Sequence, residues 1–220
     1  MHKTCAAGGC LSHSVGFSNF CSSHRKALGR NGHQDQTSIT CKLLKPYVAK
    51  VVARQTANPN SPAWGILEAR WESLQQVTQQ TLSEYHQGKP SVTHEVTASH
   101  QLLNLSSLPA GLIVRTCLAM YLMANTEPRR FRSDRAFDFQ LVRRVRALAA
   151  INSGSYWDPK LERVKRVYRD LSPRAIQALA GALKGVFGGA GVQFAAIERE
   201  LMSKEVGAQR RLAAALEELQ

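Results

Sequence analysis

Residues 108–125, LPAGLIVRTCLAMYLMAN, are the most apolar run of the chain. Apolar side chains occur on nearly every side of a helix through this run, which is typical of a helix buried in a protein core. Arg115 interrupts the run before it reaches the length that spans a membrane. We therefore predict a buried central helix with Cys117 as a core thiol, and we expect no membrane partner.

The segments on both sides of this run repeat apolar residues at three- and four-residue spacing, which indicates amphipathic helices. One helix is expected to begin around Pro46, and a longer one follows the Pro- and Asn-containing connector at 56–62. Another is expected to begin after the capping residue Ser133. Residues 91–99, SVTHEVTAS, alternate weakly and predict a short strand or an extended loop.

Two more helix starts are expected where a capping residue precedes proline, at Asp158–Pro159 and Ser172–Pro173. The first helix would carry Leu161, Val164, Tyr168 and Leu171 on its apolar side. The sequence GGAG at 188–191 predicts a break, and a long terminal helix would follow it. That helix would either pair with a copy of itself, giving a homo-oligomer, or pack on its own domain.

The predicted fold class is therefore mainly α, with a small N-terminal zinc knuckle joined to a helical domain. We place the zinc-binding module at residues 1–42 and the helical domain at residues 43–220, with a basic surface at 129–174 and the long C-terminal helix.

Positive charge is concentrated in one quarter of the chain. The net charge is +13, and residues 129–186 hold fourteen Lys and Arg against five acids. A local excess of this kind is typical of a surface that contacts a polyanion. Residues 1–9 lack the apolar core of a secretory signal, and the odd number of cysteines, five, does not fit a disulfide-stapled secreted domain. We expect a soluble, cytoplasmic protein with reduced thiols.

Residues 5–24, CAAGGCLSHSVGFSNFCSSH, place four metal-ligand side chains close together: Cys5-x4-Cys10-x10-Cys21-x2-His24. Thiolate and imidazole are preferred zinc ligands, and a structural site needs four of them. The glycines between Cys5 and Cys10 permit a tight turn, and His24 would lie in the first turn of a helix after Cys21. We predict a structural Zn²⁺ site, with His13, His33 and Cys41 as alternative ligands.

The residues GGC, FSNFC and CSSHRK resemble the small Cys/Cys/Cys/His zinc modules, treble-clef-like, of bacterial and phage nucleic-acid-binding proteins. The resemblance covers only about 25 residues and departs in the four residues between the first two cysteines, where two are more common. It implies zinc and a nucleic-acid partner, and it implies no particular activity.

We predict a nucleic-acid-binding protein that is not an enzyme, with DNA preferred over RNA and a regulatory, replication or mobile-element role. The alternatives are an adaptor or inhibitor that binds an acidic protein, and a zinc-knuckle nuclease that would use His24, Asn31 and His33. Phe131, Tyr156 and Trp157 would stack on bases or belong to the core. The expected nucleic-acid contacts are Arg25, Lys26, Arg30, Arg129, Arg130, Arg132, Arg135, Arg143, Arg144, Arg146, Lys160, Arg163, Lys165, Arg166 and Arg169.

Overall fold

The computed structural model describes residues 3–149, 154–167 and 170–217, and the side chains of these residues except 154, 166, 167 and 212–217. Over the described ranges the chain is mainly helical, which confirms the predicted fold class. The helices are α1 (Ser22–Asn31), α2 (Cys41–Ala57), α3 (Pro62–His86), α4 (Thr93–Leu103), α5 (Ala110–Thr126), α6 (Asp134–Arg146) and α7 (Pro173–Glu217), with short 3-10 helices at Pro128–Arg130 and Ala147–Ala149. The strands are β1 (Gly154–Asp158) and β2 (Arg163–Val167).

The predicted central helix is α5, and it is buried as expected. Ile113, Cys117 and Met120 are fully buried, and α5 packs against α2, α3, α6 and α7. Burial raises the pKa of the Cys117 thiol, which is therefore a protonated core side chain. Each fully buried side chain of this size stabilises the fold by about 1.5–3 kcal/mol. The helical core is therefore organised around α5.

The predicted break at residues 188–191 is wrong, because α7 continues as one helix through these glycines. A Cβ added at Gly191 would lie 2.3 Å from the ring of Tyr121 on α5, and one at Gly188 would lie 3.3 Å from the Tyr121 hydroxyl. Glycine at these positions lets the two backbones approach around the aromatic ring. Packing against α4, α5 and α6 offsets the low helix propensity of glycine.

Part of α7 is also apolar enough to cross a membrane. Residues Pro173–Arg211 satisfy the length and composition test, with a mean hydropathy of 1.3 in the most apolar window. The core helix of a soluble protein passes the same test, and 39% of that window is buried inside the structure. The pairing of this helix with a second copy stays a prediction.

The second helix begins earlier than the sequence pattern suggests. The Thr40 side chain accepts a hydrogen bond from the Leu43 backbone N–H and caps α2, so the helix begins at Cys41 and contains Pro46. The predicted start around Pro46 is therefore wrong.

Residues 91–99 form neither a strand nor an extended loop, because most of them belong to α4. Val96, Ser99 and Leu102 are buried at three-residue spacing. As a helix, this segment buries one face against α3 and α7. Burial of that apolar face favours the helix over a strand or an extended loop.

The helix predicted from Asp158–Pro159 is also wrong, since this segment is an antiparallel hairpin of β1 and β2. The Asp158 carboxylate accepts a hydrogen bond from the Lys160 backbone N–H at 3.0 Å. The Asp-Pro pair therefore opens a turn in place of a helix. Tyr168, which the predicted helix included, lies outside the described residues. The paired residues are Gly154–Val167, Ser155–Arg166, Tyr156–Lys165, Trp157–Val164 and Asp158–Arg163.

The remaining predicted helices are confirmed. Ser133 accepts a hydrogen bond from the Ala136 N–H and caps α6, and Ser172 accepts one from the Ala175 N–H at the start of α7. Trp71 of α3 is buried and stacks on Phe187 of α7 with ring centroids 6.3 Å apart. It anchors the core between α3 and α7.

Candidate metal centre and basic surface

The first metal-ligand pair lies on a tight turn at the N-terminus. An antiparallel bridge joins Thr4 to His13, and the Cys5 N–H donates to the Ser12 carbonyl at 2.9 Å. Between the two cysteines, Gly9 has a φ of 74°, a left-handed conformation that glycine adopts readily. The turn brings Cys10 back towards Cys5, as the glycines of the sequence predicted. We call residues 3–24 the knuckle.

The second pair is held by α1. Cys21 is the N-cap of this helix, and His24 lies in its first turn as predicted. The backbone at His24 lowers the pKa of the Cys21 thiol, but burial and the neighbouring Cys5 and Cys10 thiols outweigh it and raise that pKa. Burial opposes ionisation of Cys5, but hydrogen bonds from the Cys21 and Ala7 backbones outweigh it and lower the pKa of the Cys5 thiol.

The four ligand atoms form a compact cluster in which every pair lies within 4.8 Å. The Nδ1 atom of His24 lies 3.2 Å from the Cys21 sulfur and 3.4 Å from the Cys5 sulfur, and the sulfurs of Cys10 and Cys21 are 4.0 Å apart. Tetrahedral zinc with ordinary bond lengths holds such atoms about 3.6–3.8 Å apart. The observed separations lie on both sides of these values, so small side-chain shifts would let the cluster hold a metal ion of this size.

The alternative ligands lie outside this cluster. Over the described residues, the group within metal-binding distance contains Cys5, Cys10, Cys21 and His24 only. His13 is bridged to Thr4 through the backbone, His33 lies beside Asp35, and the Cys41 sulfur accepts a hydrogen bond from Arg144.

Asp35 faces the other side of the His24 ring, a position that the sequence pattern did not reveal. Its Oδ1 lies 3.9 Å from Nε2 of His24, and its Oδ2 lies 3.8 Å from Nδ1 of His33. A carboxylate next to the remote nitrogen of a metal-binding histidine holds the ring with its other nitrogen towards the metal. A position eleven residues after the ligand carries no motif of its own, so only the folded loop brings the two together.

Two buried glutamines attach the segment after α1 to the helical core. The Gln140 Oε1 atom of α6 accepts from the Ile39 N–H at 2.8 Å. Gln36 donates to the Arg130 carbonyl and accepts from the Arg132 N–H. The segment after α1 is therefore held beside α6 and the residues that precede it, while the domain limits 1–42 and 43–220 stay a prediction.

A glycine sets the distance between α1 and α6. Gly32 ends α1 with a φ of 81°, and a Cβ added there would lie 2.6 Å from the Arg135 carbonyl oxygen. The two helices meet closely enough to bring their arginines to one region of the surface.

The structure distributes the predicted cations over four elements. Arg25, Lys26 and Arg30 lie exposed on α1, and Arg129 and Arg130 lie in the first 3-10 helix. Arg132 and Arg135 surround the start of α6, Arg143, Arg144 and Arg146 lie near its end, and Lys160, Arg163, Lys165 and Arg166 lie on the hairpin. The side chain of Arg166 and the whole of Arg169 lie outside the described residues.

Some of these cations already have carboxylate partners. Arg130 pairs with Glu127 at 2.8 Å, Arg30 pairs with Asp170 at 3.2 Å, and Lys165 pairs with Asp158. The positive charge of these three side chains is therefore partly neutralised by their carboxylate partners. The arginines near the end of α6 have hydrogen-bond partners of a different kind. Arg143 contacts Asn31 and Ser38, and Arg144 contacts the Cys41 sulfur, all of which are neutral acceptors.

The hairpin exposes two aromatic side chains that the sequence could not assign. Tyr156 and Trp157 are 51% and 58% exposed, and they point to opposite faces because they are consecutive in a strand. Phe131 belongs to the core, since it is half-buried and its ring centroid lies 5.3 Å from that of Phe137.

No protein-family model matches this chain, and neither does any curated protein or solved structure. The resemblance of residues 5–26 to Cys/Cys/Cys/His zinc modules accordingly stays a prediction.

Proposed function

We propose that this chain is a cytoplasmic nucleic-acid-binding protein, with DNA as the preferred partner, and that zinc holds its knuckle in place. The observation that carries the proposal is the arginine cluster where α1 meets α6. Arg30 of α1 and Arg143, Arg144 and Arg146 of α6 come together from segments that are more than a hundred residues apart. Within this cluster Arg143 and Arg144 have neutral hydrogen-bond partners, and such guanidinium groups suit phosphate groups well.

Zinc is the metal that the donor set favours. Three thiolates and one imidazole in a tetrahedral arrangement are typical of structural zinc sites, in which all four positions belong to the protein. In this proposal Cys5, Cys10, Cys21 and His24 hold the ion, and the ion fixes the start of α1. The exposed Arg25 and Lys26 on that helix are thereby positioned for phosphate contacts.

The hairpin is the second contact element in this proposal. Tyr156 and Trp157 offer exposed rings, and Lys160 and Arg163 lie near the same turn. Exposed aromatic side chains beside cations suit base stacking combined with phosphate contact. A two-stranded ribbon also fits the major groove of a duplex.

Binding measured across a salt series tests the proposal. Fluorescence anisotropy would follow a short duplex DNA, its single strand and the matching RNA. We expect affinity to fall steeply with salt because bound phosphates release counterions. Arg143→Gln should weaken binding about tenfold and reduce the salt slope by about one. Arg70→Gln is the matched control, because it removes one exposed arginine from α3, outside the proposed surface.

Equal effects of Arg143→Gln and Arg70→Gln, or no binding at low salt, would contradict the proposal. An adaptor for an acidic protein would then take first place. Leu11 and Phe17 favour that alternative, since both are apolar side chains that the knuckle exposes almost fully. Adding Mg²⁺ to the same assay tests the nuclease alternative, in which cleavage would be lost in His33→Ala.

A further inference from the structure

A pocket of about 330 Å³ lies where α1, α6 and the start of α7 meet. Its size is at the lower end of pockets that enclose small ligands. The apolar part of its wall comes from the core side of α6 and from the beginning of α7, including Phe139, Val142 and Ile176. Gly29 of α1 lines the opposite side, and a Cβ there would meet nothing within 4 Å. The cavity therefore has a partly apolar wall, with open space at Gly29.

Arg143 and Arg144 form part of the charged pocket wall, and both donate hydrogen bonds to neutral groups. Arg143 is positioned by Asn31 and Ser38, with hydrogen bonds of 3.3 and 3.1 Å. Arg144 donates to the Cys41 sulfur at 3.0 Å, and its Nε atom is buried without a hydrogen-bond partner. A buried guanidinium donor without an acceptor costs free energy. An anion in the pocket would lie beside this guanidinium group, because Arg144 lines the pocket.

Burial also disfavours the positive charge of two arginines in the pocket wall. Desolvation lowers the pKa of Arg144 and of Arg146, which shows that both charged groups have lost hydration. Among the described lining residues, Asp170 is the one carboxylate, and its ion pair with Arg30 is exposed. Such an exposed pair is worth at most about 1 kcal/mol. Arg30 can therefore turn from Asp170 to a ligand at little cost.

We propose that this pocket binds one unpaired nucleotide, with its phosphate on Arg143 and Arg144 and its base against Val142 and Ile176. The inference rests on the proposed function for the source of the nucleotide. Arginine forks match phosphate oxygens in pairs, and the apolar wall suits the flat face of a base. The pocket is too small for a base pair. A strand end or an extruded base would enter it while the exposed cations around it hold the rest of the nucleic acid.

The test compares two duplex DNAs that differ only at one end. One is blunt, and the other carries a single unpaired nucleotide with a 5′-phosphate. Because base stacking and one phosphate contact are added, we expect the overhang to bind about tenfold more tightly. Free dAMP, measured by calorimetry, distinguishes a mononucleotide from a strand end as the natural source.

Two variants test whether the preference for the overhang duplex depends on the pocket. Gly29→Leu fills the free space without changing charge, and Arg144→Gln removes the buried donor. Both should abolish the tenfold preference. Arg129→Gln is the charge-matched control, because Arg129 is exposed in the first 3-10 helix and does not line the pocket. This variant should weaken the binding of both duplexes equally and preserve the preference for the overhang.

The outcomes separate this inference from the proposed function. Equal binding of the blunt and overhang duplexes, together with no dAMP binding, would overturn the pocket inference and leave nucleic-acid binding intact. A preference that survives in both Gly29→Leu and Arg144→Gln would also overturn it. Binding of dAMP that Arg144→Gln abolishes, without an overhang preference, would assign the pocket to a free mononucleotide. If no probe binds, both proposals fail.

Discussion

The knuckle and the helical core are stabilised by different means. The knuckle buries little beyond Cys5, Ala7 and Cys21, with Cys10 and Phe20 packed against them. The helical core buries many large side chains, among them Phe139 and Phe187. Two of the three buried residues in the knuckle are metal-ligand candidates, so the same side chains would serve as core and as ligands. The knuckle would consequently depend on its metal, whereas the core depends on burial of apolar surface.

Removal of the metal is the largest perturbation that this comparison predicts. In small zinc modules the binding free energy of the ion, about 10–16 kcal/mol, is in effect the folding free energy. We expect Cys21→Ser to reduce the zinc content from one ion per chain to almost none and to unfold the knuckle. The amide NMR signals of residues 3–24 should collapse to random-coil positions, while the far-UV circular dichroism of α2 to α7 persists.

The matched control is Cys41→Ser. Cys41 is an exposed cysteine outside the cluster, and serine can still accept the hydrogen bond from Arg144. This variant should keep one zinc ion and a folded knuckle. If Cys21→Ser retained dispersed signals for residues 3–24, the knuckle would be stable by packing alone and the comparison would be wrong.

In both the knuckle and the helical core, a local sequence pattern was sufficient to predict one central feature. The ligand spacing from Cys5 to His24 is local, and a local pattern was sufficient to predict the cluster. The all-round apolar character of α5 was equally sufficient, because it requires burial whatever the neighbours are. The fold class follows from these two features and from the helical spacing between them.

The errors arose where distant contacts decide the structure. The glycines of the segment 188–191 favour a break in an isolated helix, and packing of α7 against α4, α5 and α6 explains why they remain helical. Asp158–Pro159 is compatible with both a helix start and a turn, and pairing of β1 with β2 selects the turn. The pocket and the approach of Asp35 to His24 depend on tertiary structure entirely, so neither could be predicted from spacing.

The contact between α7 and Tyr121 gives the second prediction, which concerns the helical core. Gly191→Ala would place a methyl group 2.3 Å from the Tyr121 ring. Overpacking of a core typically costs about 1–3 kcal/mol, so we expect the free energy of unfolding in urea to decrease by that amount. The zinc content should stay at one ion per chain, because α5 and α7 belong to the helical core and the knuckle forms a separate buried cluster.

Gly189→Ala is the control for this prediction. Its added methyl would meet nothing within 4 Å, and alanine has the higher helix propensity. This variant should be more stable than the wild type by up to about 1 kcal/mol. Equal destabilisation by both substitutions would show that the glycines serve a property of α7 other than contact with Tyr121.

The smallest expected effect belongs to Asp35, which is next to a predicted ligand without being one. Asp35→Asn keeps the shape of the side chain and removes the charge that lies 3.9 Å from His24 Nε2. Residues that orient a metal-binding histidine typically change metal affinity about 10- to 100-fold. We expect a loss at the lower end of this range because Asp35 is partly exposed, measured by competition with a chromophoric zinc chelator. Glu72→Gln, an exposed charge change on α3, should leave the affinity unchanged. If the two variants behaved alike, Asp35 would be a surface charge, and the knuckle would owe its metal affinity to the four ligands alone.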